Sequence, residues 1–560
     1  MSERPDDRRW RLLHRGVPAL AVLAALALVM GMIVGSGSSQ AESAARDFTR
    51  AWERGDTAGM YRLLTAPARR QYERAEFARA YSEAAATATA VEVEAGDPSD
   101  RDEMVVVPVA IRTRVFGTIR GDLSMRVVDG AIAWTPGLAF PGLPDGVPLT
   151  RTSRAPVRGT LLSRDGKVLA RGPAAARTSP LGPVSGSIAG SMAPQETEEE
   201  RQDLYARGFP PDWPVGQTGL EHAFDAELSG KPGGTLYAGA RVVARARPRK
   251  ARPLRTTIDT RIQEAAVVAL AGRFGGVAAL DARNAEVRAL AGIAFSAPQP
   301  PGSTFKIITA TAALEANLVK PSTQFPVATS ATIDGVALEN SNGESCGGSF
   351  QASFAHSCNS VFAPLGVRVG AARLVDAAER YGFNREPSLK GELASTLPTA
   401  AEIETPLDVG STAIGQGRVL ATPLRLASIA QSVAAGGVMS DPTLLTVERQ
   451  ARPRRVTSRR VARTLGRFMV DVVDYGTGGA AAIPGVKVAG KTGTAELEDT
   501  RGPLAEDEPD DESNTDAWFT AYAPARRPRI AVAVLLVRAG AGGTTAAPAA
   551  RIVLETALSP

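Results

Sequence analysis

The feature that most constrains the fold is a set of strand patterns at both ends of the C-terminal half, with a long and mostly helical stretch between them. Residues 275–292 form a predicted hairpin with its turn near Arg283 and Asn284, and residues 486–540 contain three more strand patterns. Strands of one sheet have to pair, so the chain must return to the sheet that it left. This arrangement predicts an α/β domain of the kind found in enzymes, and it argues against a repeat protein or a coiled coil.

Length and charge narrow the class of protein further. A chain of 560 residues is too long for one hydrophobic core, so several domains are expected. The net charge of +5 is spread along the chain, and the densest basic runs, 245–255 and 451–463, contain no aromatic residues. We interpret these runs as solvated faces or linker, with anionic lipid or a wall polymer as the alternative partner. No nucleic-acid partner is expected.

A membrane anchor is predicted at the N-terminus. Five arginines lie within residues 1–15, and no charge follows until after Ala41. The apolar stretch has the length that crosses a bilayer, and the flanking positive charge places the N-terminus in the cytoplasm. We therefore expect a cytoplasmic tail at 1–15, a single transmembrane anchor at 16–36 and an extracytoplasmic catalytic region at the cell membrane. A cleaved signal peptide is the alternative.

Two regions separate this anchor from the C-terminal domain. Residues 41–148 change from amphipathic helix patterns to alternating strand patterns, which predicts helices packed on one antiparallel sheet. Residues 150–254 are rich in glycine and proline and have few apolar runs, which is typical of an extended connector. The α/β domain then occupies residues 256–560.

Lysine is rare in this chain, since only eight of the 64 basic residues are lysine. An arginine cannot lose its proton in a protein, whereas a buried lysine can become a base. Ser303 and Lys306 lie three residues apart at the start of a predicted helix and share one face of it. A desolvated lysine in this place could activate a serine nucleophile. The alternative interpretation is a capped helix with a surface lysine.

Two further stretches make catalysis the better interpretation. Ser357 and Asn359 lie on alternate residues of a predicted turn, a pattern that by itself mostly marks turns. The stretch 488–496, VAGKTGTAE, sets Lys491 on a predicted buried strand whose glycines allow close approach to the backbone. A lysine on a buried strand is otherwise unfavourable, which favours a functional role.

Taken together, Ser-x-x-Lys, Ser-x-Asn and Lys-Thr-Gly in this order resemble the signature of penicillin-recognising serine acyltransferases. Residues 158–166, RGTLLSRDG, and 219–234, GLEHAFDAELSGKPGG, resemble the dimerisation or pedestal module of class B high-molecular-mass penicillin-binding proteins. Residues 41–148 resemble the NTF2-like domain of the methicillin-resistance type. The stretches AIGQG, ATPLRLA, YGTGGAA and WFTAYAP are similar to further transpeptidase landmarks.

The resemblance implies a multidomain α+β chain. Its parts would be a membrane anchor, an NTF2-like α+β domain at 41–148 and an extended, β-rich dimerisation or pedestal domain at 150–254. The transpeptidase domain at 256–560 would have the β-lactamase-like α/β fold, with a five-stranded antiparallel sheet flanked by helices.

The same resemblance implies a peptidoglycan D,D-transpeptidase that crosslinks stem peptides through an acyl-enzyme on Ser303 and is inhibited by β-lactams. Lys306 would take the Ser303 proton, and the backbone N–H groups of Ser303 and Thr494 would form the oxyanion hole. The implied catalytic residues are Ser303, Lys306, Ser357, Asn359 and Lys491, and the implied substrate-binding residues are Thr492, Gly493 and Thr494.

The implied partners are peptidoglycan stem peptides, β-lactams, the cytoplasmic membrane and a separate membrane glycan polymerase of an elongation, division or sporulation complex. No cofactor or metal is expected, and the three histidines have no zinc spacing. A His-dependent serine hydrolase is disfavoured, because those histidines have no Gly-x-Ser-x-Gly partner. A β-lactamase would share the three motifs but would not need an anchor and two extra modules. A catalytically weak β-lactam sensor or a cell-wall synthesis scaffold is the non-enzymatic alternative.

The two cysteines, Cys346 and Cys358, lie in the part of the chain that is expected outside the membrane. An oxidising compartment favours a disulfide, and free thiols are the alternative. If the two are bonded, the disulfide would brace the turn that holds Ser357.

Overall fold

The computed structural model describes residues 39–446, 451–497 and 514–559. The predicted cytoplasmic tail and transmembrane anchor lie outside the described residues. Within those three ranges, no helix combines the length and the apolar character needed to cross a membrane.

The described chain forms two compact units. The first contains the residues up to Pro156 together with Gln195–Trp213 and Lys231–Arg249. The second contains Val157–Pro194, Pro214–Gly230 and the chain from Lys250 onward. The domain limits stated from the sequence remain predictions.

The elements before residue 157 are helices followed by strands. In chain order they are α1 (Gln40–Glu53), α2 (Thr57–Arg62), α3 (Ala66–Gln71), α4 (Arg74–Ala88), β1 (Ala90–Ala95), β2 (Ser99–Arg101), β3 (Met104–Thr113), β4 (Gly117–Met125), β5 (Val127–Val128), β6 (Ala131–Ile132) and β7 (Leu149–Arg154).

The elements from residue 157 to residue 255 are short. They are β8 (Leu161–Leu162), β9 (Val168–Ala170), α5 (Pro183–Ala189), β10 (Met192–Ala193), α6 (Glu198–Ala206), β11 (Val215–Gly216), α7 (Gly219–Ala223), α8 (Asp225–Ser229), β12 (Gly233–Ala238), β13 (Arg241–Ala246) and β14 (Leu254–Arg255).

The remaining elements belong to the second unit. They are α9 (Thr260–Leu270), β15 (Gly275–Asp281), β16 (Val287–Gly292), α10 (Lys306–Glu315), β17 (Gln324–Ala328), β18 (Ser330–Ile333), β19 (Val336–Glu339), β20 (Cys346–Ser349), α11 (Phe350–Ala355), α12 (Asn359–Val369), α13 (Ala371–Arg380), α14 (Pro406–Ala413), α15 (Pro423–Ala434), β21 (Val438–Met439), β22 (Arg454–Arg455), α16 (Arg459–Asp474), β23 (Ala489–Glu496), β24 (Thr515–Ala523), β25 (Ile530–Leu536) and α17 (Ala546–Leu558).

In the first unit, helices α1 to α4 accompany an antiparallel sheet in which β3 pairs with β1, β2 and β4. Helix α1 starts with a capping box, in which the side chains of Ser39 and Glu42 each accept from the other's backbone N–H. Val107 of β3 and Phe48 of α1 are fully buried in one shared core. The α+β content expected from the sequence is confirmed here. A second antiparallel sheet has the order β13, β12, β7.

The centre of the second unit is a sheet with the strand order β16, β15, β25, β24, β23, and every neighbouring pair is antiparallel. The expectation of a five-stranded antiparallel sheet is therefore confirmed. Side chains alternate between the two faces of the sheet along each strand, and both faces are buried in hydrophobic cores. On β15, Val277 packs in the core with α9 and α17, whereas Ala278 packs in the core that holds α10 and α15. The sheet is thus flanked by helices.

The stretch between β16 and β23 is less helical than the sequence predicts. Four short strands, β17 to β20, lie between α10 and α11 and form two antiparallel pairs. Strands of four or five residues give too few alternations to be recognised from hydrophobic periodicity.

A buried ion-pair cluster joins separate parts of residues 157–230 in the second unit. The Glu221 carboxylate accepts from Arg158 Nε at 2.7 Å and from Arg177 Nε at 2.6 Å. The side chains of Arg158 and Glu221 are 0% exposed, and that of Arg177 is 7% exposed. Arg158 also pairs with Asp225 at 2.9 Å. Charges buried in this way are stable only while their partners remain.

Candidate active site

Ser303 lies in a single turn of 3-10 helix, Gly302–Phe305, that leads directly into α10. Two glycines make this turn possible. Gly302 has φ +50°, and a Cβ on it would lie 2.5 Å from the Thr494 carbonyl oxygen. The Gly302 N–H donates to the Gly415 carbonyl at 3.0 Å, and a Cβ on Gly415 would lie 2.0 Å from the Gly302 oxygen. The serine turn is therefore held between β23 and the loop after α14.

Lys306 is the first residue of α10 and is completely buried. Its Nζ donates to the Ser357 carbonyl at 2.5 Å, to Asn359 Oδ1 at 2.6 Å and to Ser357 Oγ at 3.3 Å. None of these three bonds goes to Ser303, one turn earlier in the chain. Burial, and then the positive charge of Lys491, hold the pKa of Lys306 well below its usual value. The lysine can therefore exist in the neutral form that a base requires.

Lys491 also contacts Ser357. It is fully buried on β23, and its Nζ donates to Ser357 Oγ at 2.8 Å and to the Thr492 carbonyl at 3.0 Å. Burial lowers the pKa of Lys491 to about 7. The Ser357 hydroxyl thus contacts two lysine amines, those of Lys306 and Lys491, and burial lowers the pKa of both.

The turn that carries Ser357 is backbone-strained. Ser357 has φ +61°, in the left-handed region that residues other than glycine rarely occupy. Asn359 starts α12, and its Nδ2 donates to the Glu339 carbonyl at 2.6 Å, which turns Oδ1 toward Lys306. A disulfide joins Cys358, between these two residues, to Cys346 at the start of β20.

The Lys-Thr-Gly strand packs tightly against the serine turn. A Cβ on Gly493 would lie 2.8 Å from the Pro301 carbonyl oxygen and 2.9 Å from Thr304 Cγ2. Thr494 is half-buried, and its Oγ1 accepts from the Gly542 N–H at 3.3 Å. The predicted substrate-binding residues therefore form the strand beside the nucleophile's turn.

The structure brings the sequence-predicted residues together. Four of them form one hydrogen-bonded network that also reaches the Thr492 carbonyl, and Ser303 lies one turn before Lys306 in the chain. The members of that network are Lys306, Ser357, Asn359 and Lys491.

Three further residues at this place were not assigned a role from the sequence, although each lies in a quoted landmark. Gly415 supports the serine turn as described above. Thr477 Oγ1 lies 2.5 Å from Thr492 Oγ1, and Trp518 Nε1 donates to the Pro300 carbonyl at 2.7 Å. Local periodicity gives no signal for such contacts, because each joins residues from separate parts of the chain.

Among the residues that the structure describes, no group of three or more His, Cys, Asp or Glu side chains could hold a metal ion. The chemistry available at the site is that of two lysines, two serines and an amide. Such a set can activate a serine hydroxyl and move protons around it.

Two regions of the chain match the models of known protein families. Residues 266–555 match the penicillin binding protein transpeptidase domain. Residues 40–146 match the NTF2-like N-terminal transpeptidase domain.

Individual relatives are similar over the C-terminal half. The peptidoglycan D,D-transpeptidase PbpA of Mycobacterium tuberculosis is 37% identical over 289 residues, which are 47% of this chain and 56% of that protein. Stage V sporulation protein D of Bacillus subtilis is 31% identical over 278 residues, covering 46% of this chain and 42% of that protein. The chain therefore spans about half the length of the curated relatives that it matches.

Solved structures show the same similarity. The penicillin G acyl-enzyme complex of penicillin-binding protein A from M. tuberculosis has a TM-score of 0.58 at 27% identity and covers 72% of this chain and 100% of that one. The D,D-transpeptidase domain of a peptidoglycan glycosyltransferase from Eggerthella lenta has a TM-score of 0.58 at 27% identity, with 72% and 98% covered. With its transpeptidase domain and its NTF2-like N-terminal domain, this chain belongs to the class B penicillin-binding protein family.

Proposed function

We propose that this chain is a peptidoglycan D,D-transpeptidase that works through an acyl-enzyme on Ser303 and is inhibited by β-lactams. The observation that carries the proposal is the convergence of two buried lysines, Lys306 and Lys491, on the Ser357 hydroxyl. Burying two amines side by side costs free energy, and the arrangement has a use if their protons are exchanged during a reaction.

The first half of the reaction is acylation. Neutral Lys306 accepts the proton of Ser303, and the serine oxygen attacks the carbonyl carbon of the penultimate D-alanine of a stem peptide. The resulting oxyanion accepts from the backbone N–H groups of Ser303 and Thr494. The closeness of the Gly302 turn to the Thr494 backbone supports this pairing of donors.

Collapse of that intermediate breaks the peptide bond and releases D-alanine. The leaving nitrogen needs a proton, which Ser357 donates while its hydroxyl is reprotonated from Lys491. The hydrogen bond of 2.8 Å between Lys491 Nζ and Ser357 Oγ supports this route. An amine of a second stem peptide then attacks the ester carbonyl and gives a proton to Ser357, which passes one back to Lys491. The ester bond breaks as Lys306 returns its proton to Ser303, and the new amide bond is the crosslink.

The other site residues are assigned to substrate binding. Asn359 would bind a backbone amide of the stem peptide, and Thr492 and Thr494 its terminal carboxylate, with Gly493 allowing the strand to lie close to the serine turn. The position of these residues on and beside β23 supports the assignment. A β-lactam would acylate the same serine, and the penicillin G acyl-enzyme complex of the M. tuberculosis relative supports this part of the proposal.

We also propose the cellular setting. The N-terminal stretch 16–36 would anchor the chain in the cytoplasmic membrane, with residues 1–15 in the cytoplasm and the catalytic region outside. Residues 150–254 would act as a dimerisation or pedestal module. A separate membrane glycan polymerase would supply the glycan strands, since the mechanism only joins peptides.

The test is labelling of the detergent-solubilised full chain with a fluorescent penicillin, followed by mass mapping of the adduct. A long-lived adduct on Ser303, absent in Ser303→Ala, is the expected result. Rapid release would indicate β-lactamase chemistry instead. A sensor or scaffold would bind without crosslinking, so a lipid-linked stem-peptide substrate has to yield crosslinked product. An intact adduct with no crosslink formation would contradict the proposed function.

A further inference from the structure

The helix that starts at Asn359 is capped by a residue from elsewhere in the chain. Cys358 is the N-cap of α12, and its side chain makes no capping hydrogen bond, because its sulfur is bonded to Cys346. The first N–H groups of a helix need acceptors from outside the helix. Here Asn340 supplies one, since its Oδ1 accepts from the Ser360 N–H at 2.9 Å.

Asn340 is itself fixed in orientation. It is only 5% exposed, and its Nδ2 donates to the Ala328 carbonyl and to the Glu344 carbonyl, both at 2.8 Å. Two carbonyls on one side and an N–H on the other allow only one placement of the amide nitrogen and oxygen. A buried amide with its donors and acceptor satisfied is a rigid connection between the end of β19, which Asn340 follows, and the N-terminus of α12.

Glu339, the residue before Asn340, holds the side-chain amide of Asn359, which Lys306 contacts. The Glu339 carbonyl accepts from Asn359 Nδ2 at 2.6 Å, and Asn359 Oδ1 accepts from Lys306 Nζ at 2.6 Å. The distance between residue 339 and the start of α12 therefore determines where the Asn359 oxygen lies. Asn340 sets that distance through Ser360.

We propose that Asn340 is a positioning residue for Lys306, acting through the Asn359 amide and the N-terminus of α12. The inference rests on the proposed function of the site. It differs from a purely structural role, because a residue that only stabilises the loop would affect melting and leave the rate of acylation of folded protein unchanged. A displaced Lys306 slows proton removal from Ser303, whereas the carboxylate contacts proposed for Thr492 and Thr494 remain, so ligand binding should weaken less than acylation slows.

The experiment compares Asn340→Ala with Asn384→Ala in the full chain. Asn384 is the control for a general loss of stability in the same unit, since its Oδ1 also accepts a backbone N–H, that of Leu397, at 3.0 Å, at an exposed position with φ +54°. Hydrogen exchange of the peptide that contains Ser360 should accelerate about 10-fold or more in Asn340→Ala and stay unchanged in the control. The limiting rate constant for penicillin acylation should fall about 10- to 100-fold, while the apparent dissociation constant changes less than about threefold.

Two results would overturn the proposal: unchanged exchange at Ser360 in Asn340→Ala, or a loss confined to the dissociation constant. If Asn340→Ala does not fold, Asn340→Ser replaces it, because its shorter side chain also withdraws the acceptor from Ser360 and places no charge against the Ala328 and Glu344 carbonyls. That variant should show the same faster exchange at Ser360 and the same slower acylation. Free exchange at Ser360 with an unchanged acylation rate would again contradict us. If the unmodified chain does not react with penicillin, the proposed function fails, whereas the exchange data still decide the Asn340–Ser360 contact.

Discussion

The backbones of Gly302 and Gly415 are hydrogen-bonded and neither glycine has room for a side chain, since a Cβ on Gly302 would lie 2.5 Å from the Thr494 carbonyl oxygen. The Gly302 N–H donates to the Gly415 carbonyl at 3.0 Å, and a Cβ on Gly415 would lie 2.0 Å from the Gly302 carbonyl oxygen. Both residues have positive φ. The turn that presents Ser303 is thus fixed by backbone against backbone, which no side chain can adjust.

The substitution Gly415→Ala should therefore displace the serine turn. We expect the rate of penicillin acylation to fall about 100-fold, because misplacement of a nucleophile by about 1 Å has effects of this size. Gly417→Ala is the matched control, since Gly417 also has positive φ (+71°) but has no atom within 4 Å of the added Cβ. The control should lose only about 1 kcal/mol of stability, measured by denaturation, and retain acylation. Equal loss of acylation in both variants would mean that backbone strain alone is responsible.

Lys306→Arg should abolish acylation although it keeps the positive charge. A guanidinium cannot lose its proton at accessible pH, so the base that Ser303 needs would be absent. We expect the acylation rate, followed with a fluorescent penicillin, to fall at least about 100-fold. Lys320→Arg, at an exposed position in the same unit, should be indistinguishable from the unmodified chain. Retention of more than about a tenth of the rate in Lys306→Arg would remove the lysine from the role of base.

Lys491 should make stability depend on pH in a defined direction. Burial lowers its pKa in the folded chain to about 7, whereas the unfolded value is about 10.4. Between these values the unfolded chain binds more protons, so the free energy of unfolding rises with pH. Relative to Lys491→Met, the unmodified chain should gain about 2 kcal/mol between about pH 7 and about pH 9. Urea denaturation at several pH values measures the free energy of unfolding of both chains. A stability of the unmodified chain, relative to Lys491→Met, that falls as pH rises would contradict the depressed pKa.

Glu221→Gln should destabilise the second unit, because it leaves Arg158 and Arg177 buried without their shared carboxylate. The expected loss is about 3 kcal/mol, in the range for breaking a buried ion pair. Asp474→Asn is the comparison, since Asp474 pairs at 2.7 Å with Lys487 where the two side chains are 37% and 65% exposed. That change should cost less than about 1 kcal/mol. Denaturant titration of both variants measures the contrast, and losses of equal size would show that burial does not determine the cost.

The central sheet could be predicted from the sequence because its signals are local. The strand patterns along 275–292 and in the three later stretches mark buried strands wherever they pair. Their antiparallel pairing, which the family resemblance implied, is observed in the order β16, β15, β25, β24, β23. The reactive residues could be predicted for a chemical reason. A chain that uses arginine for most of its positive charge keeps lysine at two fully buried positions, Lys306 and Lys491.

What the sequence could not predict depends on contacts between distant segments. The support of the serine turn by Gly415 and the hydroxyl contact between Thr477 and Thr492 arise only after the chain has folded. The same is true of Asn340, which lies in a polar stretch that by itself indicates no more than a turn. The short strands β17 to β20 were missed for a related reason, since their pairing partners determine them more than their own composition does.

The central place of β25 determines when the sheet behind the site can close. β25 pairs with β15 on one side and β24 on the other, so the strand that carries Lys491 reaches β15 only through residues 530–536. All three sequence motifs precede that segment along the chain. A growing polypeptide that has not yet released residues 530–536 therefore contains all three motifs, while its sheet is still open between β15 and β24.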